Sequence, residues 1–216
     1  MKNNQELQTD VQNAIKWEPL LHAAEIGVIV NDGVVSLIGV VDSYAKKMEA
    51  ENAAKRVNGV KALIEKIEVK FPNRWAKTDT EVANEALTAL KANYSIPQDK
   101  VRIKVEKGWI TLEGQLPWNY QSEAATYAVS YLTGVKGVTN NIKIKSEIQD
   151  EIEKQEVEKA IARSSTIDDN TVAVSVSGTT VTLTGIVNSW YQKEEAGRIA
   201  WKTSGIWNVK NELAID

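Results

Sequence analysis

The chain has 216 residues, of which 43% are hydrophobic and 25% are charged, and its net charge at neutral pH is −3. This composition is that of an ordinary soluble globular protein, and the overall acidity argues against nucleic acid as a partner. Because the chain contains no cysteine, it can hold neither a disulfide framework nor a thiolate metal site. The N-terminal residues lack the apolar core of a signal peptide and no apolar run is long enough to span a membrane, so we expect a cytoplasmic protein.

One pattern occurs three times along the chain. Each copy has a strand that ends in glycine, seen as VSLIGV at 35–40, ITLEGQ at 110–115 and VTLTGI at 181–186. We call these the strand glycines: Gly39, Gly114 and Gly185. Twenty residues after each comes another, and we call these the helix-end glycines: Gly59, Gly134 and Gly205. Because a fixed period indicates a duplicated structural unit, we expect three repeats, at 4–72, 78–145 and 147–216.

A helix opens each repeat, because apolar residues recur at the spacing of one helical stripe. These stripes are Leu7, Val11, Ala14 and Ile15 in the first repeat, Val82, Ala86, Ala89 and Leu90 in the second, and Val157, Ala160 and Ile161 in the third. At the start of the second of these helices, Thr78 and Glu81 have the spacing of a capping box.

Two strands follow, joined by a tight turn that contains Gly33, Gly108 or Gly178. Apolar residues alternate with other residues along the first strand, which predicts one buried face and one solvent-exposed face. The buried positions are Ile26, Val28 and Val30, then Val101, Ile103 and Val105, then Val172, Val174 and Val176.

A longer helix is predicted after the strand glycines, over about 43–57, 119–132 and 189–203, and a last strand follows it. At the strand glycines we expect a side chain to collide with this helix or to require a positive φ angle. The helix-end glycines are predicted to be the left-handed residue directly after the helix.

The fold class is therefore α/β, in the sense of α+β: three tandem small α-β-β-α-β repeats, each a three-stranded mixed sheet with two helices on one face. A helix between the second and third strands returns the chain in the same direction, so these two strands are parallel. The pattern leaves open whether the third strand lies beside the first or the second.

The last segments of the second and third repeats match closely, as GVKGVTNNIKI at 134–144 and GIWNVKNELAI at 205–215. The first repeat departs from them, since GVKALIEKIEV at 59–69 lacks the asparagine. Together with the glycine-ended strands, this pattern resembles the BON family of bacterial domains over nearly the whole chain. The resemblance implies an α/β repeat of this kind. It also implies relatives that are osmotically induced, often periplasmic, and usually described as binding phospholipid or membrane surfaces; it assigns no activity and no site residues.

Residues suited to catalysis are few. His22 is the only histidine and has no counterpart in the other repeats, so we interpret it as a surface or capping residue. We therefore expect no enzymatic activity, no cofactor and no metal site. The segment Gly134–Gly137 has the letters of a nucleic-acid-binding G-x-x-G clamp, but it joins a helix to a strand and is absent from the other repeats, which favours a helix end.

Aromatic residues recur where the second strand passes into the long helix. They are Tyr44, Trp118, Tyr120, Trp190 and Tyr191. Tryptophan and tyrosine suit places that are apolar on one side and wet on the other, including membrane interfaces and protein contacts. One interpretation is packing of the helix start on the sheet or on the next repeat, and the other is contact with a protein partner or a second copy.

The second repeat is the basic one, with ten basic and seven acidic residues in 73–145. Lys100, Arg102 and Lys104 alternate with inward residues and project together, and Lys143 and Lys145 project from the last strand on the same side. Such a face attracts anionic headgroups by about 1 kcal/mol per basic residue. The alternative is an ordinary solvated face that also contains glutamates.

We therefore predict a non-enzymatic binding protein that associates peripherally with anionic phospholipid, in osmotic or envelope stress. The alternative is a protein-interaction scaffold or self-associating module that uses the aromatic residues at the strand–helix junctions.

Overall fold

The computed structural model describes residues 2–21, 26–72, 76–97, 99–145, 154–203 and 205–216. His22 lies outside the described residues, as do parts of the segments that connect the repeats.

All three repeats follow the predicted α-β-β-α-β order. The first consists of α1 (Asn4–Lys16), β1 (Ile26–Asn31), β2 (Val34–Val41), α2 (Tyr44–Lys55) and β3 (Ala62–Val69). The second consists of α3 (Asp79–Ala92), β4 (Val101–Glu106), β5 (Trp109–Leu116), α4 (Asn119–Ser130) and β6 (Gly137–Ile144). The third consists of α5 (Lys154–Ala162), β7 (Val172–Ser177), β8 (Thr180–Val187), α6 (Trp190–Trp201), β9 (Asn208–Asn211) and β10 (Ala214–Ile215), with a 3₁₀ turn before β7. The α+β class and the mixed sheets are confirmed.

Each repeat has its own sheet, with the second strand in the centre. The orders are β1–β2–β3 and β4–β5–β6, and in the third sheet β8 lies between β7 and the last strands. The hairpin strands are antiparallel, with Ile103 opposite Leu112, and the last strand is parallel, with Leu112 opposite Asn140. The question that the sequence left open is thereby answered, because the last strand lies beside the second strand. In the third repeat this strand is interrupted, so β9 and β10 pair separately with β8.

In the second and third repeats both helices pack on the same face of the sheet. In the second repeat the core joins α3, β5 and α4, and its fully buried members are Val82, Ala86, Ile110, Leu112, Ala125, Val129 and Val135. The third core has the same composition, with Val157 and Ile161 of α5 and Ala196 and Ala200 of α6 against Val181 and Leu183. Small alanines on the second helix let it approach the sheet closely, while each buried Val or Leu contributes about 1.5–3 kcal/mol.

In the second and third repeats the strand glycine is required by the backbone that leads into the first strand. A Cβ on Gly114 would lie 2.0 Å from the carbonyl oxygen of Lys100, and a Cβ on Gly185 would lie 2.0 Å from that of Thr171. Their φ angles are +149° and +126°. The predicted positive φ is therefore confirmed at these two glycines, whereas the predicted collision with the following helix is wrong, because the nearest atom is a backbone oxygen just before the first strand. Gly114 pairs with Val101 at the open end of the hairpin, where the incoming chain crosses directly over it.

The helix-end glycines do not directly follow the helix, which corrects the prediction of their place. Helix α2 ends at Lys55, and Gly59 is the third residue of a turn that the Val60 N–H closes on the Val57 carbonyl at 3.3 Å. Gly134 occupies the same place in the turn from Leu132 to Val135, also closed at 3.3 Å. The positive φ of both residues, +94° and +93°, serves this turn into the last strand rather than the helix cap.

Among the helix starts that the structure describes, those of α1 and α3 have a capping box. The predicted one is present at α3, where the Thr78 hydroxyl accepts the Glu81 N–H and the Glu81 carboxylate accepts the Thr78 N–H at 2.8 Å. Helix α1 has a second box, formed by Asn3 and Glu6, that the sequence analysis missed. Asparagine caps as well as threonine does, so its spacing to Glu6 was the available signal.

The chain divides into two compact units that do not coincide with the repeats. One comprises Met1–Val40, Met48–Glu68 and Ile148–Asp216, and the other comprises Val41–Lys47 and Val69–Glu147. The first and third repeats therefore share a unit. Among the described residues, no helix has the length and apolar character needed to cross a bilayer.

Candidate functional site

The predicted basic residues lie on or beside the open face of the second sheet, the face opposite the helices. Arg102 and Lys104 project from β4 and Lys143 from β6, and all three are exposed. Lys100 immediately precedes β4 and Lys145 immediately follows β6, and both are also exposed. Because Val101 and Ile142 both pair with Gly114, Lys100 and Lys143 lie at the same end of the sheet. We call these five residues the basic face.

Two glutamates reduce the charge of the basic face. Arg102 lies directly across from Glu113 in the strand register. The Lys104 ammonium lies 3.1 Å from the Glu106 carboxylate, with both side chains well exposed. Exposed ion pairs of this kind contribute little to stability. Five basic groups against two acidic groups leave a net positive surface, so the face can attract an anion without offering a closed pocket.

A tryptophan that the sequence analysis did not single out lies on the same face. Trp109 begins β5 at the hairpin end and remains 50% exposed. It pairs with Gly137 of β6, and a Cβ on Gly137 would lie 2.2 Å from a carbon of the indole ring. The ring therefore covers the glycine, as aromatic residues do in other sheets. The available signal was a tryptophan at an outward position of β5, in phase with Thr111 and Glu113.

A groove of about 440 Å³ surrounds this tryptophan, and we call it the hairpin groove. Its lining residues are Lys104, Glu106, Lys107, Trp109, Thr111 and Lys136. It combines one exposed aromatic ring with three lysines and one glutamate.

The aromatic residues at the strand–helix junctions have different surroundings. Tyr44 packs against the core of the second repeat, within the same compact unit. Trp118 is the N-cap residue of α4 and is half-buried, whereas Tyr120 in the first turn of that helix is exposed. Contact with a protein partner stays a prediction for all five aromatic residues.

Trp190 and Tyr191 contact the end of α2 in the unit that the first and third repeats share. The Lys55 ammonium lies 5.6 Å from the centre of a Trp190 ring, and the Arg56 guanidinium lies 5.8 Å from that of Tyr191. Lys55 also forms an ion pair with Glu194 at 2.8 Å. Cation–π contacts of this kind stabilise by about 0.5–1 kcal/mol when exposed. These two aromatic rings therefore join repeats that are distant in sequence.

A cleft of about 640 Å³ lies between the first and third repeats, lined in part by Gly59 and Asn188. Its charged lining consists of Lys2, Lys61, Asp32 and Asp216. Because the two lysines are balanced by two aspartates, the cleft does not select for ligand charge.

The asparagine of the repeated G-V-x-x-V-x-N segment has a structural role. The Asn140 amide donates to the hydroxyls of Ser122 and Thr126, both at 2.8 Å, and its oxygen accepts the Ile142 N–H at 2.9 Å. It thereby fastens the edge strand β6 to α4. Asn211 does the same in the third repeat, where its amide donates to the Lys193 carbonyl.

The described residues give little support for acid–base or metal chemistry. Among them, no three His, Cys, Asp or Glu side chains come together in a group that could hold a metal ion. The backbone N–H and the hydroxyl of Thr78 donate to the Glu81 carboxylate, which lowers the pKa of Glu81 below its ordinary value of 4.5. This shift follows from a helix cap, so it does not mark a catalytic group.

Comparison with known proteins gives a family match in each repeat. The family model described as the BON domain matches residues 3–70, 78–146 and 149–216. Osmotically-inducible protein Y of Escherichia coli (strain K12) is 30% identical over 129 residues, which cover 58% of this chain and 64% of that protein. The chain thus matches less than two thirds of the length of this relative.

Solved structures give only distant likenesses. CdsD, a structural protein of the type III secretion system of Chlamydia trachomatis, is 19% identical, with 98% of this chain and 92% of that chain covered and a TM-score of 0.25. The periplasmic domain of PrgH is 11% identical, with 89% and 95% covered and a TM-score of 0.21. At these TM-scores neither likeness bears on function.

Proposed function

Because this chain belongs to the BON domain family, we propose that it is a peripheral membrane-binding protein that recognises anionic phospholipid through the basic face of its second repeat. The observation that carries the proposal is the common placement of Arg102, Lys104 and Lys143 on an open, exposed sheet face. An exposed face suits a bilayer surface, because the lysine and arginine side chains can reach headgroups without any rearrangement of the core.

The name of one relative, osmotically-inducible protein Y, links that protein to osmotic conditions and supports a similar role for this chain. We propose that this chain serves in the same kind of response, as a binding protein without enzymatic activity. Its cytoplasmic location stays a prediction. On this proposal the protein would meet the anionic inner surface of the membrane, where basic residues are attracted most strongly.

Co-sedimentation with liposomes tests this function. Wild-type protein is mixed with phosphatidylcholine vesicles that contain or lack phosphatidylglycerol, over a range of salt concentrations. We expect binding only to the anionic vesicles, and a steep loss of binding above about 0.15 M salt, where the screening length is about 8 Å. No binding to anionic vesicles at low salt would contradict the proposal.

A charge-reversal variant locates the binding face. We expect the triple variant K100E/R102E/K104E to lose binding while it keeps its fold, since all three side chains are exposed. The matched control reverses three exposed lysines elsewhere, K16E/K66E/K91E, and so has the same net charge. If both variants lose binding equally, overall charge rather than this face attracts the vesicle.

A second candidate function, a protein-interaction scaffold, is favoured by three exposed tyrosines on or just after α4. Tyr120, Tyr127 and Tyr131 are spaced seven and four residues apart, and the rings of the last two lie 4.7 Å apart. This spacing places them along one side of a helix. If these residues hold a second copy, light scattering should show an oligomer that Y120A/Y127A converts to monomer, with little dependence on salt.

A further inference from the structure

The two ends of the open sheet face in the second repeat differ in chemistry. At the hairpin end, Trp109 covers Gly137 with one side of its ring and remains half exposed. At the other end, the neighbours of Lys100 and Lys143 along the face are Gln115 and Asn141. Only the hairpin end therefore joins an aromatic ring to basic side chains.

Lys107 and Lys136 are held beside this ring by the backbone of the turn. Both carboxylate oxygens of Asp79 accept N–H groups of the turn, one from Lys107 and one from Gly108, each at 2.8 Å. The aliphatic part of the Lys136 side chain packs over Gly108, since a Cβ on that glycine would lie 3.3 Å from the Lys136 Cγ. The Lys136 N–H also donates to the Gly108 carbonyl at 2.9 Å. These contacts fix the backbone positions from which the two lysine side chains extend.

The charge of the hairpin groove is available to a ligand. Its one glutamate, Glu106, is paired with Lys104 at 3.1 Å. Within the described part of the chain, neither Lys107 nor Lys136 forms an ion pair. An anion in the groove would therefore meet two ammonium groups that are not already paired with a carboxylate.

The other repeats lack this combination at the equivalent positions. The first repeat has Asp32 in place of Lys107 and Val34 in place of Trp109. The third has Thr180 in place of Trp109 and Trp207 in place of Lys136. The groove is therefore a feature of the second repeat and not of the shared fold.

On the basis of the proposed function, we propose that the hairpin groove is the point at which the protein docks on the bilayer. Lys107 and Lys136 bind the phosphate of an anionic lipid headgroup, and Trp109 lies at headgroup level as an interfacial anchor. The rest of the basic face adds attraction at longer range. A single exposed ring in a short groove suits one headgroup better than a strand of nucleic acid, which stacks successive bases on several rings.

Two pairs of matched variants test the docking point in the full-length chain. K107Q/K136Q removes two charges from the hairpin end, and K143Q/K145Q removes two from the opposite end. Since each basic residue near the surface contributes about a fivefold gain in binding, we expect K107Q/K136Q to weaken binding to phosphatidylglycerol vesicles roughly 25-fold. K143Q/K145Q should also weaken binding, because both lysines belong to the basic face, but only about fivefold, since they attract the bilayer at longer range.

The tryptophan is tested in the same assay. We expect W109A to weaken binding roughly tenfold, through the loss of apolar area in the interface. The control is W17A, since Trp17 is 83% exposed and lies in the first repeat. Thermal unfolding of W109A shows whether exposing Gly137 disturbs the sheet. If it does, the two lysine pairs decide the question, because their side chains are on the surface.

Several results would overturn this docking point while leaving the proposed function intact. They are an equal loss of binding in the two lysine pairs, wild-type affinity in W109A, an equal loss in W109A and W17A, or tighter binding of a single-stranded oligonucleotide than of the vesicles. Failure of the wild-type protein to bind anionic vesicles would instead overturn the proposed function itself.

Discussion

The first and second repeats share a backbone and differ in the chemistry of their open sheet faces. In the first repeat this face contains an exposed apolar patch of Ile29, Ile38 and Ile64, beside the charged Lys66 and Glu68. The second repeat has Lys104 at the position of Ile29 and Glu113 at the position of Ile38. The inward positions of the hairpin strands, by contrast, are aliphatic in both repeats. The fold therefore depends on the inward positions and the glycines, and the outward positions are free to differ in function.

The strand glycines offer the most severe test of what the repeats share. We expect Gly114→Val to destabilise the compact unit that contains it by about 3 kcal/mol or more, because a strained φ and a backbone clash add together. Urea denaturation of the full chain measures the loss, and Gly185→Val should lower the stability of the other unit similarly.

Gly178→Ala is the matched control for this prediction. Gly178 also has a positive φ, +57°, but a Cβ there would have no atom within 4 Å. We expect a loss of only about 1 kcal/mol, the ordinary cost of a left-handed alanine. An equal loss at Gly114 and Gly178 would show that φ alone, and not the Lys100 carbonyl, makes glycine necessary.

Exchange of the outward residues tests whether charge alone separates the two faces. R102G/K104I gives the second repeat the residues of the first at these positions, and G27R/I29K makes the reverse change. We expect the first variant to bind anionic vesicles roughly tenfold more weakly, because Lys104 lines the hairpin groove while Arg102 acts at longer range, and the combined variant to recover part of that loss. If the combined variant recovers no binding, the position of these charges matters and not only their number. Such a dependence on position is what the hairpin groove requires of Lys107 and Lys136.

The sequence predicted the architecture well because its strongest signals were local. Alternating residues in β4 and β7 and the capping box at Thr78 are determined by neighbours along the chain, and each was confirmed. The order of strands was not predictable, because parallel pairing of Leu112 with Asn140 joins residues separated by a helix. The partner of the strand glycines was misassigned for a different reason, since Lys100 meets Gly114 only when the two hairpin strands pair.

The candidate site was predictable only in part. Basic residues in a strand reveal their shared face by alternation, so Arg102 and Lys104 could be grouped in advance. Alternation in β5 indicates that Trp109 points outward, but its packing over Gly137 joins two strands and could not be predicted from either strand alone. The contact of Trp190 with Lys55 likewise joins two repeats, and no periodicity within either repeat encodes it.

The motif asparagine gives a smaller effect on stability. We expect Asn140→Ala to destabilise the second repeat by about 1–2 kcal/mol, because the hydrogen bonds that fasten β6 to α4 are lost. Asn141→Ala is the control, since its side chain lies on the adjacent position of the same strand and is exposed. The first repeat has Glu65 at the position of Asn140. Replacement of Glu65 by Asn should therefore be tolerated. Equal losses of stability in Asn140→Ala and Asn141→Ala would contradict the role assigned to Asn140.

The smallest expected effect concerns the capping box at the start of α3. The pKa of Glu81 is lowered because the Thr78 backbone N–H and hydroxyl donate to its carboxylate. A carboxyl whose folded pKa is lowered stabilises the protein above its unfolded pKa, and this stabilisation is lost as the pH falls through the folded value. We therefore expect wild type to be more stable than Glu81→Gln at neutral pH, and the difference in melting temperature to shrink as the pH falls below about 4.5. In a Thr78→Val background, which removes the hydroxyl, the difference should already be reduced at neutral pH. A difference that persists unchanged at low pH would show that the glutamate acts through its shape rather than its charge.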